Sequence, residues 1–256
     1  MTELLSLKNV GIAIKETTQQ IVTDVDITVY PGKTTVLLGE SGSGKTMLVK
    51  AVTGILNRSH MSLTGSAFYR GTDLFALSEK ERRRWSHHIA LIMQNPMTSF
   101  DPSLKIGKQM VSETRGRKSD VSQKAVHALE AVGLPRPKEL LKSYPYELSG
   151  GMLQRVMIAI AMMQGASVIV ADEPTTALDV VNQELVLNEL NKLRKTGVGI
   201  LLITHDFQVA KKCADYITVM RDGYIVESDE AKKVLERPQS DYTKALLDAS
   251  VLRRKG

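Results

Sequence analysis

Residues Gly39-Glu40-Ser41-Gly42-Ser43-Gly44-Lys45-Thr46 decide the fold. They follow the apolar run Val36-Leu37-Leu38 and precede Met47-Leu48-Val49, which gives the order strand, glycine loop, helix. Glycines let the backbone curl until successive N–H groups point inward, and the helix behind them adds its positive dipole end. The result is a cradle for a di- or triphosphate. Lys45 can reach the β- and γ-phosphates from there, and the Thr46 hydroxyl can ligate magnesium. All eight residues from Gly39 to Thr46 are therefore expected nucleotide ligands. The first expectation is a chain that binds a nucleoside triphosphate.

The 256 residues are 43% hydrophobic and 24% charged, enough apolar material for a sizeable core. Val156 to Met163 is the longest strongly apolar run and is far too short to span a bilayer. Thr2 to Lys8 lacks the basic region and apolar stretch of a signal peptide. The single cysteine, Cys213, excludes an internal disulfide, fits a reducing cytoplasm and reads as core filler. Net charge is +6 (34 basic minus 28 acidic), a modest excess. The basic runs Arg82-Arg83-Arg84 and Arg253-Arg254-Lys255 have no interleaved aromatics apart from Trp85, so they read as solvated surface and not as a nucleic-acid platform.

Strands are expected at Leu5 to Ile14 and Ile21 to Val29, antiparallel, with a turn at Pro31-Gly32 before the phosphate-loop strand. A helix over Met47 to Leu56 should follow, then a strand at Leu63 to Tyr69 and a helix from Ser78 to Trp85, opened by a Ser78/Glu81 capping box. His87 and His88 are read as strand neighbours pointing to opposite sides, which argues against joint metal ligation. Ile89 to Met93 is a strand running into Gln94-Asn95-Pro96, and from Leu104 to Gln164 the pattern turns helical. Strands are then expected at Val168 to Ala171, Gly199 to Thr204 and Tyr216 to Met220, with helices over Asn182 to Lys195 and Phe207 to Ala214. The charged tail from Glu227 reads as helical and peripheral. Apolar strands alternating with helices predict a mostly parallel sheet covered on both faces.

Asp172 and Glu173 stand at the carboxyl end of a strand, where ligands bind in open α/β sheets. One acid there can hold magnesium and the second can deprotonate an attacking water, although a strand-end carboxylate can also simply cap a helix. His205 occupies the same kind of position after Gly199 to Thr204 and could hydrogen-bond a γ-phosphate. Gln94 offers an amide for magnesium or water. Ser149 is a helix N-cap followed by Gly150 and Gly151, which leave first-turn N–H groups bare and make a second anion site. A phosphate held by the glycine loop of one subunit could meet this serine-glycine helix from another in a head-to-tail pair.

These segments together resemble an ATP-binding-cassette (ABC) transporter ATPase subunit over nearly the whole chain. The matching motifs are Walker A at Gly39 to Thr46, the Q-loop Gln94, the signature Leu148-Ser149-Gly150-Gly151-Met152-Leu153-Gln154, Walker B at Asp172 and Glu173, the D-loop Ala177-Leu178-Asp179 and the switch His205. The resemblance implies an α/β fold: a P-loop NTPase core with a mostly parallel sheet, an antiparallel β-subdomain and an inserted α-helical subdomain. It divides the chain at 1–94, 95–165, 166–226 and 227–256. It implies ATP and Mg2+ as cofactors, with Thr46, Gln94 and Asp172 on the magnesium. Catalysis would fall to Glu173, His205 and Gln94, while Ser149, Gly150, Gly151 and Gln154 would face a partner's ATP across an interface that includes Asp179. The family usually stacks adenine on an aromatic side chain, and Ile14 stands at that position here, so plain apolar contact would replace the stack.

Ile92-Met93-Gln94-Asn95-Pro96, Ser99-Phe100-Asp101-Pro102, Tyr144-Pro145-Tyr146-Glu147 and Tyr242-Thr243-Lys244-Ala245-Leu246-Leu247 are similar to the oligopeptide, dipeptide and nickel importer branch. The chain looks most like the short nickel or metallophore importer subunit, because longer peptide-importing relatives extend past this C-terminus and carry a cysteine cluster there. The resemblance implies a motor at the cytoplasmic face of the membrane that energises uptake of nickel or a metal chelate, with peptides as the alternative cargo. Its partners would be a second, different ATPase subunit, two integral membrane permease subunits and an extracytoplasmic solute-binding protein. Nucleic acid is not among them; a soluble ABC-type ATPase acting on nucleic acid is the rival reading, ranked below the peptide importer.

Overall fold

Alternating apolar residues build two long antiparallel strands first, β1 (Leu5–Ile14) and β2 (Gln20–Val29). In the computed structural model, which describes residues 2–114, 118–176 and 178–252, β4 (Met61–Tyr69) adds to the other side of β1. A two-residue strand, β5 (Thr72–Asp73), closes that sheet, with strand order β2-β1-β4-β5. Between β2 and β4 the chain makes β3 (Thr34–Leu38) and α1 (Lys45–Val52). The helix starts two residues earlier than the sequence suggests, because Lys45 already belongs to its first turn. It stops at Val52, where Thr53 caps it and Gly54 turns to φ 77°.

Next come α2 (Glu79–Trp85) and β6 (Ile89–Ile92), then a helical stretch: α3 (Ile106–Ser112), α4 (Lys118–Ala131), α5 (Pro137–Leu140) and α6 (Gly150–Gln164). The Ser78/Glu81 capping box forms, with Ser78 N–H donating to the Glu81 carboxylate at 2.9 Å. Beyond α6 the chain alternates: β7 (Val168–Asp172), α7 (Val180–Lys195), β8 (Gly199–Thr204), α8 (Phe207–Cys213) and β9 (Tyr216–Arg221). The last elements are β10 (Tyr224–Glu230), α9 (Ala231–Glu236) and α10 (Asp241–Leu252).

The second sheet has the order β10-β9-β3-β8-β7-β6 and is parallel from β9 to β6. Strand residues alternate between two cores, as a period of two requires. Val36, Leu38, Ile169, Ala171, Ile200 and Leu202 face the helical side, while Leu37, Val168, Val170, Leu201 and Ile203 face α1 and the antiparallel sheet. Both faces are therefore covered, and β3, β7 and β8 are near-continuous apolar runs for that reason.

Two expectations change. His87 and His88 lie in a 3-10 turn, not a strand, and their rings are adjacent, with centroids 4.0 Å apart. The segment from Glu227 is not wholly helical or peripheral, because β10 continues to Glu230 and pairs antiparallel with β9. Ala231, Val234 and Thr243 behind it are buried. The basic run Arg253-Arg254-Lys255 and Ala177 of the D-loop lie outside the described residues. Among the described residues no helix is long and apolar enough to cross a membrane.

Candidate functional site

The loop between β3 and α1 is shaped by backbone crowding. A side chain at Gly39 would strike the Met220 carbonyl, and Gly44 holds φ 102° with room for no Cβ, 2.9 Å from the Ile21 carbonyl. Gly223 N–H donates to Ser43 O at 3.2 Å, so the β9–β10 turn supports the loop from behind. Lys45 is only 5% exposed. Its ammonium donates to Gly39 O at 2.8 Å, Glu40 O at 2.6 Å and Ser43 Oγ at 3.1 Å. Burial lowers its pKa, while the negative charges of Glu173, Asp172 and Glu40 pull it back up. The cation is poised inside its own loop and within the field of both strand-end acids.

Asp172 ends β7, beside Ile203 of β8, and Glu173 follows in the left-handed region at φ 45°, its N–H tied to Ile203 O at 2.9 Å. This turn aims the two acids differently. Burial raises the Asp172 pKa above the ordinary carboxylate value; a hydrogen bond from the Thr46 hydroxyl opposes the rise and the Glu173 charge adds to it. Burial also acts upward on Glu173, yet hydrogen bonds from Thr176 and His205, with the charges of His205 and Lys45, leave its carboxyl below the ordinary value. Thr176 Oγ1 donates to Glu173 Oε2 at 2.6 Å, and His205 Nδ1 pairs with Glu173 Oε1 at 2.9 Å. Adjacent carboxylates whose proton affinities are driven apart are what acid–base chemistry requires. Thr176 was not singled out from the sequence. Its signal was a hydroxyl three residues after Glu173.

His205 stands between Thr204, whose hydroxyl accepts the Asp206 N–H at 3.0 Å, and Asp206, which caps α8 through Gln208 N–H at 2.7 Å. Its backbone is fixed while its ring is 44% exposed. Gln94 is exposed just beyond β6, and the Ile92–Ala171 pairing sets it near the level of Asp172. The oxygen donors Thr46, Asp172 and Gln94 suit a magnesium ion. Among the described residues no group of three His, Cys, Asp or Glu could hold a metal, so phosphate oxygens and water would have to complete the shell. Ile14 is half-buried at the end of β1, opposite Met61.

Ser149 caps α6, accepting Met152 N–H at 3.3 Å, and both Ser149 and Gly150 are exposed. Gly151 is buried because Asn182 Oδ1 lies 2.8 Å from where its Cβ would be, and Gly150 faces Leu178. Asp179 caps α7 through Asn182 N–H at 2.9 Å and also accepts Asn182 Nδ2 at 2.6 Å. The start of α6 and the start of α7 thus form one corner. Gln154 corrects an expectation. It is 1% exposed and donates to Met93 O at 3.2 Å, so it braces the end of β6 and does not face outward toward a partner's ATP.

The profile of the family described as "ABC transporter" matches residues 22–176. The metal-staphylopine import system ATP-binding protein CntD of Staphylococcus aureus (strain Mu50) is 39% identical over 250 residues, covering 95% of this chain and 92% of that protein. The dipeptide transport ATP-binding protein DppD of Bacillus subtilis is 38% identical over 257 residues, covering 96% and 76%. The solved structure of cbiO1 from Clostridium perfringens, part of the ABC transporter complex cbiONQ, superposes with a TM-score of 0.79 at 20% identity over 99% of this chain and 94% of that one.

Proposed function

We propose, from the premise that this chain belongs to the ABC transporter family and is one of its ATPases, that it powers import of a metal chelate or nickel. The observation that carries the motor reading is Glu173 held by Thr176 and His205 beside the Lys45 loop. The cargo reading rests on the match to a metal-staphylopine importer subunit, which spans 92% of that protein. Peptide is the second reading, favoured by the nearly equal identity to a dipeptide transport subunit, of which 76% is covered.

In this reading Gly39 to Thr46 hold the triphosphate, with Lys45 releasing a loop carbonyl to take phosphate oxygens. Glu173 accepts the proton of the attacking water, and His205 and Gln94 bond the γ-phosphate and that water. A magnesium ion on Thr46, Asp172 and Gln94 would neutralise phosphate charge. Ile14 would meet the adenine by apolar contact. Ser149, Gly150 and Gly151 would face the ATP of a second ATPase subunit of different sequence, with Asp179 at that interface. The other partners would be two permease subunits and an extracytoplasmic solute-binding protein, at the cytoplasmic face of the membrane. The core would comprise 1–94 and 166–226, with 95–165 as the helical subdomain and 227–256 as the tail. The Gln94 to Pro102 loop, beside a cavity of about 910 Å3 lined by Phe100, Asp101 and Met157, is the proposed contact with the permeases.

Reconstitution with the permeases and binding protein tests the cargo. Nickel or a metal chelate should stimulate ATP hydrolysis, and stimulation by dipeptides alone would overturn the metal reading. Glu173→Gln tests the chemistry. Nucleotide binding should survive while turnover falls by roughly 10²–10⁴, the contribution of a positioned general base.

A further inference from the structure

The C-terminal helix reaches the phosphate loop from outside. Glu227 on β10 anchors the start of α10 by accepting the N–H groups of Gln239 at 2.8 Å and Ser240 at 3.1 Å. Tyr242, in the first turn, packs on the main core together with Leu246 and Leu247. The Arg221 guanidinium lies over its ring, 4.8 Å from the centroid. Arg221 ends β9, directly after the Met220 carbonyl that crowds Gly39 and two residues before Gly223, whose N–H holds Ser43 O at 3.2 Å. The β9–β10 turn is thus sandwiched between α10 and the phosphate loop.

The Tyr242 hydroxyl oxygen is buried and has no hydrogen-bond partner among the described residues. Burial raises its pKa and the neighbouring main-chain N–H of Glu40 opposes that rise, which places Glu40 beside the hydroxyl. The carbonyl of that same Glu40 accepts the Lys45 ammonium at 2.6 Å. One loop residue is therefore addressed from two sides, by the lysine from within and by the C-terminal helix from without.

We propose that Tyr242 is a positioning residue for the phosphate loop, its hydroxyl closing on Glu40 N–H as the loop settles around the phosphates. The proposal rests on Gly39 to Thr46 being the nucleotide site. It makes α10 part of that site, so a partner that displaced the helix would weaken nucleotide binding. A buried hydroxyl that bonds poorly before binding adds nothing to the fold and carries a desolvation cost, so its removal should leave stability unchanged or raise it, and the loss should appear in affinity.

The test compares wild type, Tyr242→Phe and the control Tyr224→Phe, a tyrosine 53% exposed on β10, as purified full chains. Each is titrated with N-methylanthraniloyl-ATP and melted without nucleotide. Tyr242→Phe should bind about fivefold more weakly, the loss of one neutral hydrogen bond. Its melting temperature should not fall below that of wild type, and Tyr224→Phe should change neither quantity. Equal affinities for wild type and Tyr242→Phe would overturn the proposal and leave the nucleotide site standing. A lowered melting temperature with unchanged affinity would reduce Tyr242 to packing and overturn it too. A wild-type chain that fails to bind the analogue would overturn both this proposal and the reading beneath it.

Discussion

Gly151→Ala is the substitution whose cost follows most directly from distances. A Cβ at Gly151 would lie 2.8 Å from Asn182 Oδ1, 2.9 Å from its Cγ and 3.2 Å from its Cβ. Contacts under about 3 Å are not tolerated in a packed interior, so Asn182 must rotate. Rotation breaks the Nδ2 bond to Asp179, 2.6 Å long, but spares the main-chain cap at 2.9 Å. A hydrogen bond to a carboxylate in solvent is worth about 1 kcal/mol. An off-rotamer side chain adds about 0.5–1.5 kcal/mol. Exchanging glycine for alanine in a helix returns up to about 1 kcal/mol. The net expectation is a loss of about 0.5–2.5 kcal/mol.

Asn182→Ala removes the obstacle, so adding Gly151→Ala to that background should cost nothing and return up to about 1 kcal/mol of helix propensity. The coupling between the two positions would then be about 1.5–2.5 kcal/mol, the lost hydrogen bond plus the rotamer strain. Urea unfolding of the four proteins of the cycle measures it. If the two substitutions simply add within about 0.5 kcal/mol, the corner between α6 and α7 does not work as described.

Three further outcomes are expected. Burial pushes the Cys213 thiol up to about 12, so native protein at pH 8 should react with a disulfide reagent far more slowly than urea-unfolded protein. Glu173 titrates below its ordinary 4.5 in the folded chain, so its contribution to stability is present above that pH and fades as pH falls through the folded value. Melting temperatures of wild type and Glu173→Gln should therefore differ at pH 7 and converge in acid. Gln154→Leu removes the donor to the Met93 carbonyl at 3.2 Å and should destabilise the chain by about 1–3 kcal/mol in denaturant titration.

The parallel strands were legible because burial on both faces writes them as short apolar runs, and Val36 to Leu38, Val168 to Ala171 and Gly199 to Thr204 all form. The phosphate loop was legible because backbone curvature demands glycine at fixed spacing. What failed depends on contacts far apart in sequence. β10 alternates and is mostly exposed, so its charged residues Glu227, Asp229 and Glu230 read as a helical tail until β9 is there to pair with it. The Gln154 side chain looks like any polar helix residue, and only the fold brings Met93 O to it. Helix α7 starts at Val180, two residues before the expected Asn182, because its capping carboxylate, Asp179, and two exposed valines, Val180 and Val181, carry no helical period. In each case the sequence carries the chemical group but not its partner.

On the proposed reading, the geometry around Glu173 also orders events at the site. Each Glu173 oxygen accepts one hydrogen bond, from Thr176 or from His205, and both bonds lower the carboxylate's affinity for a proton. The Thr176 bond is the shorter, 2.6 Å against 2.9 Å, and Thr176 lies in the same turn as the acid. His205 comes from a different strand end and is 44% exposed. It is the partner that can leave without unfolding anything. A γ-phosphate attracting the imidazole would remove a hydrogen bond and a neighbouring positive charge from Glu173 together, both of which lower its pKa. Burial, which acts the other way, would then have less opposition, and the carboxyl would become a stronger base when the phosphate is in place. The same step that recognises the triphosphate therefore prepares the residue that removes the proton from water.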